Sequence, residues 1–119
     1  MYEWNEEGMS RAADEREYWY GRYLRSRNDK LRKSYLNQSN ICFSEQLKIE
    51  LHLKKTGKLP VTCEEAKHFL LKAAAEPFRS GKEFSYNGER YRVWCFPMLR
   101  DIVKPKNVLL WEIRFEQIG

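Results

Sequence analysis

Apolar and polar positions repeat with two different periods along this 119-residue chain, and the change of period marks how it is organised. From Arg11 to about Leu36 there is no proline, and on a helical wheel Trp19, Tyr20, Tyr23, Leu24, Leu31 and Tyr35 gather on one side. Arg22, Arg25, Asp29, Arg32 and Lys33 gather on the other. The pattern predicts one long helix with an aromatic and aliphatic face and a basic face. Ser10 is its expected N-cap, Asp14 and Glu15 sit near the expected first turn, and the polar run Asn37-Gln38-Ser39-Asn40 is its expected end. Gly21 in mid-helix costs roughly 1 kcal/mol relative to alanine, which points to a kink or a close packing contact there.

Residues 44–55 carry two signals. Leu47, Ile49, Leu51 and Leu53 alternate with Lys48, Glu50, His52 and Lys54, as in a half-buried strand. The residues themselves are good helix formers, Ser44 is a capping type, Lys54 and Lys55 stand where a last turn favours cations, and Gly57 and Pro60 supply a stop. Helix is preferred over strand. Thr62-Cys63-Glu64-Glu65 reads as a capping box opening a helix through Ala66, Phe69, Leu70 and Ala73 to a stop at Pro77.

Beyond Pro77 the period becomes two. Asn87-Gly88, between Lys82–Tyr86 and Arg90–Phe96, is the pair that a type I′ hairpin requires. Val108–Glu116 places Leu109, Trp111, Ile113 and Phe115 on one face, expected to be buried, with Leu110, Glu112, Arg114 and Glu116 on the other. The fold class is therefore α+β, three helices followed by a small antiparallel sheet made of a hairpin and a C-terminal strand. Residues 1–9 are expected to form a flexible acidic and aromatic arm, and 10–119 a single compact domain, since half of such a chain would be too small to bury a core.

Composition adds a partner class. Hydrophobic residues make up 42% of the chain, enough for a core, and no run approaches the ~18 to 20 apolar residues of a membrane span. The first ten residues are acidic and aromatic where a secretory signal would be basic and then apolar, and three widely spaced cysteines, Cys42, Cys63 and Cys95, make no disulfide framework. A soluble cytoplasmic protein is expected. The net charge is +5, and between Arg22 and Lys33 six cations (Arg22, Arg25, Arg27, Lys30, Arg32 and Lys33) stand with one acid, Asp29.

Catalytic chemistry finds little footing. There is no CxxC, and Cys63, His68 and His52 offer three donors at spacings unsuited to zinc. Cys63 lies at a helix start, where a thiol can be activated, but His68 five residues on is about 140° away around the helix. The glycines are scattered, so no phosphate-cradling loop exists. Trp19, Trp94 and Trp111 read as core, whereas Trp4, in the acidic arm, is either a partner anchor or a ring docked back on its own domain.

These features predict a small basic nucleic-acid-binding or nucleic-acid-machinery accessory protein, not an enzyme, using Arg22, Arg25, Arg27, Lys30, Arg32 and Lys33. The alternative is a stoichiometric inhibitor or adaptor, of the compact kind that phages and mobile elements encode, docking on an acidic protein surface. A solvated charged face with no partner is the plain structural reading. No cofactor, metal, membrane or small-molecule substrate is expected.

Overall fold

A computed structural model describes residues 1–119 as three helices, α1 (Glu6–Arg25), α2 (Asp29–Lys55) and α3 (Cys63–Ala75), followed by three strands, β1 (Glu83–Tyr86), β2 (Glu89–Arg100) and β3 (Val108–Gln117). The strands form one antiparallel sheet in the order β1-β2-β3, so the α+β class and the element order follow the sequence pattern. The chain groups into two compact units, one of Met1–Pro60 with Leu99–Leu110, the other of Val61–Met98 with Trp111–Gly119. No helix is long and apolar enough to cross a membrane.

In the first unit α1 and α2 form an antiparallel hairpin. The expected single helix over 11–36 is in fact broken at Ser26–Asn28. Ser26 leaves the helical region at ψ 139°, and Asn28 caps α2 by accepting from the Lys30 and Leu31 amides at 3.0 and 3.1 Å. Both are residue types whose short polar side chains compete with helical bonds and prefer caps. The break resets the helical phase, so the aromatic and aliphatic stripe is not continuously buried: Leu24 is 61% exposed, and Tyr20 and Leu31 are also exposed. What α1 buries is Gly8 and Ala12, with Glu15, Trp19 and Tyr23 half-buried on the same stripe.

The start of α1 also differs from expectation. Asn5, not Ser10, is the N-cap, its Oδ1 accepting from the Gly8 amide at 2.8 Å. Glu6 and Glu7 then occupy the first turn, where the helix dipole favours negative charge. Residues ahead of the helix are docked: the Tyr2 hydroxyl donates to the Glu15 carboxylate and lies 3.5 Å from Cys42 Sγ. Burial, with the bonds to Cys42 and Glu15, pushes the Tyr2 phenol well above the usual tyrosine range. A Cβ on Gly8 would overlap the Glu3 carbonyl oxygen, so glycine there is what lets the leading segment lie against the helix.

Residues 44–55 are helical, as preferred, but as the second half of α2, which runs straight through the polar stretch 37–40 expected to end a helix. Those polar side chains are employed across the fold. Ser39 Oγ donates to the Arg16 carbonyl of α1 at 3.2 Å, and Asn37 bonds the segment after β2. Small residues are buried on both helices, Gly8 and Ala12 on α1 and Ser39 and Cys42 on α2, which suits close approach of the two. Ile49 and Leu53 complete the apolar core of the unit.

The second unit is built from local signals that the sequence displays openly. Thr62 and Glu65 make the reciprocal capping box of α3 at 3.1 and 3.2 Å. Asn87 and Gly88 take φ 53° and 80°, the positive values a type I′ turn needs, and set the register Tyr86↔Glu89 to Glu83↔Arg92. Leu71 and Ala75 of α3 and Tyr91 and Val93 of β2 are buried. Phe115 meets His68 and Phe84 edge-on, and Phe84 stacks on Tyr91. The face of β3 expected to be buried is covered only in part: Leu109, Ile113 and Phe115 are half-buried, and Trp111 is 53% exposed, so it is not core.

Candidate polyanion interface at the helix hairpin

The six cations singled out from the sequence flank the α1–α2 connection: Arg22 and Arg25 in the last turn of α1, Arg27 in the connection, and Lys30, Arg32 and Lys33 in the opening turns of α2. They form a corner of two helix ends, not one face of a continuous helix. The C-terminal end of α1 favours Arg22 and Arg25 through the helix dipole. Lys30 works against the dipole of α2, which leaves its charge without a local structural reason.

Aromatic rings hold two of the guanidiniums in place. Arg22 donates to the Tyr18 hydroxyl at 3.0 Å and to the Tyr35 hydroxyl at 3.1 Å, and its guanidinium carbon lies 5.0 Å from the Tyr35 ring centroid. Tyr35 in turn stacks on Trp19 at 5.9 Å. The bonds to Tyr35 and Tyr18 raise the already high pKa of Arg22, so its charge is fixed throughout the physiological range. Arg32 lies over Tyr23, 4.9 Å from the ring centroid. A small cleft of about 180 Å³ opens between Arg22, Arg25, Ser26 and Tyr35.

None of the six makes an ion pair; the ion pairs of the chain lie elsewhere, as in Lys48 with Glu45, Arg90 and Arg92 with Glu83, and Arg114 with Glu112. The corner therefore presents a concentrated positive charge, with Asp29 as the one acid among its six cations. No protein-family model matches the chain. Comparisons with curated proteins and with solved structures likewise give no match.

Trp4 does not join the corner. Its ring meets His52, near the C-terminal end of α2, edge-on at 5.0 Å, and remains half exposed. Tyr18 is the residue of the candidate site that sequence reasoning missed; its signal was the i,i+4 spacing to Arg22. Tyr20 and Tyr23, at 5.6 Å, pair with each other.

No cluster of three or more His, Cys, Asp or Glu residues is placed to hold a metal ion. His68 Nε2 donates to the Ile113 carbonyl at 2.9 Å, and Cys63 is exposed at the start of α3. The three cysteines are free thiols of graded access: Cys63 exposed, Cys95 half-buried and Cys42 buried. Alkylation without reductant should modify Cys63 first, Cys95 more slowly and Cys42 only on unfolding, read by peptide mass mapping over time. Early modification of Cys42 would show that the α1–α2 seam is open.

Proposed function

We propose that the chain is a small basic accessory protein that binds nucleic acid, without catalysis, by laying the α1–α2 corner against the phosphate backbone. The supporting observation is the set of six cations outside any ion pair, two of them oriented by tyrosine rings. Pre-orienting a guanidinium lowers the conformational entropy lost on binding, and its forked donors match phosphate oxygens. Tyr35 is occupied by Trp19 and Arg22, and Tyr23 by Arg32, so these rings serve as supports for charge more than as platforms for bases. This favours backbone recognition with little sequence preference. Free thiols accord with action in the reducing cytoplasm.

The test is a salt titration against random duplex and single-stranded oligonucleotides. With about four phosphate contacts, log affinity for duplex should fall against log salt with a slope of about −3.6. In the double variant Arg27→Glu and Lys30→Glu two contacts are lost, and the slope should shrink by about 1.8. Both positions are exposed, and an acid at position 30 suits a helix N-terminus, so the fold is retained. Absence of oligonucleotide binding by the parent at about 50 mM salt, where the electrostatic attraction is strong, overturns the proposal and leaves an acidic protein surface as the partner class.

A further inference from the structure

The second unit holds a feature unrelated to the basic corner. A cleft of about 670 Å³ lies where the end of α3, the segment 78–80 and the sheet meet. Its apolar walls are Phe78, Ile113 and the exposed indole of Trp111, and Arg79 brings a guanidinium to the lining. That volume falls within the roughly 300–1,000 Å³ of small-molecule sites.

The wall carrying Phe78, Arg79 and Ser80 is fixed in place. Lys82 Nζ donates to the Ala75 carbonyl at 2.9 Å and the Pro77 carbonyl at 3.1 Å, tying the segment to the last turn of α3. The Gly81 amide donates to the Val93 carbonyl at 2.7 Å and the Val93 amide to the Lys82 carbonyl at 2.9 Å, tying it to β2. Ser80 Oγ accepts from the Cys95 amide at 3.2 Å, which orients the hydroxyl while leaving its proton to donate. The Arg79 guanidinium makes no ion pair or hydrogen bond within the chain. A preformed cleft loses less entropy on binding than one that must be ordered.

We propose that this cleft binds a flat aromatic anion, its ring against Trp111 and the Phe78 and Ile113 walls, its anionic group on Arg79 and Ser80. A neutral ring would leave Arg79 without a counter-charge, and a bare inorganic anion would leave the indole and its apolar neighbours wet. An aromatic carboxylate and a nucleotide, with base and phosphate, share the required chemistry.

Calorimetric titration of the full chain with 2-naphthoate, adenosine monophosphate, 2-naphthol and inorganic phosphate tests it. Saturable binding of either aromatic anion at sub-millimolar concentration is expected, naphthoate alone marking a carboxylate ligand and the nucleotide alone a nucleotide ligand. Arg79→Glu and Trp111→Ala, both at exposed positions, should each weaken it by about tenfold or more, the scale of one charge-assisted hydrogen bond or one stacked ring. The Arg27→Glu, Lys30→Glu variant should bind as the parent does, separating this cleft from the basic corner. Failure of both anions to saturate, equal affinity for 2-naphthol or phosphate, unchanged binding in the two cleft variants, or loss of binding in the corner variant would each overturn the proposal.

Discussion

Leu53→Ala is expected to destabilise the protein by about 2–5 kcal/mol, while Leu51→Ala should stay within about 0.5 kcal/mol of the parent. Leu53 is 1% exposed and lies one turn beyond the fully buried Ile49, so truncation leaves a cavity in the core of the first unit. Leu51 points the other way and is 40% exposed. Against the ~5–15 kcal/mol that holds a typical domain, the first loss is a large share and the second is negligible. Urea unfolding curves of the three proteins provide the comparison, with the midpoint falling sharply only for Leu53→Ala. The pair also discriminates between the two readings of 44–55. In an alternating strand residues 51 and 53 share a face and their truncations would cost alike; in α2 they do not. Equal losses at the two positions would refute the helix.

The difference between what could and could not be read from the sequence follows the range of the interactions involved. Thr62 with Glu65 and Asn87 with Gly88 declare their structure because partner and position lie within four residues. Ser26 and Asn28 were equally local signals of a cap, yet the wheel pattern running past them suggested one helix. Asn37 and Ser39 were opaque for the opposite reason: their partners are Asp101, Ile102 and Arg16, invisible to any local window. Trp111 shows the limit of periodicity, since alternation assigns a side chain to a face but cannot say whether anything covers that face. The six cations of the candidate interface were legible from charge density alone. Their arrangement as a corner was not, because it depends on the turn at Ser26–Asn28, and the supporting role of Tyr35 depends on the hairpin that this turn creates.

Asn37 offers the most direct measure of such a long-range polar contact. It is 7% exposed, donates through Nδ2 to Asp101 Oδ1 at 3.2 Å and accepts through Oδ1 from the Ile102 amide at 2.9 Å. Asp101 Oδ1 also accepts from the Val103 and Lys104 amides at 2.8 and 2.9 Å, and the Asp101 amide donates to the Asn107 carbonyl at 2.9 Å. Asn37 thus pins to α2 a turn that is otherwise held by its own bonds. In Asn37→Ala the Asp101 carboxylate keeps two amide donors, but the Ile102 amide loses its acceptor, a loss that typically costs about 1–3 kcal/mol. The expected result is a lowered unfolding midpoint together with faster hydrogen exchange at the Ile102 amide, while Asn87–Gly88 hairpin amides such as Glu89 keep their parent rates. Asn37→Asp separates the two halves of the contact. It retains an acceptor for Ile102 and sets a second carboxylate against Asp101, and this repulsion raises the folded-state pKa of the introduced carboxyl above its unfolded value. A raised folded pKa means stability that is present at acid pH and lost as pH rises through it, so Asn37→Asp should approach the parent near pH 4 and fall away from it by pH 7. If Asn37→Ala and Asn37→Asp both unfold with the parent at every pH, the turn is anchored by its internal bonds alone and Asn37 contributes nothing to its position.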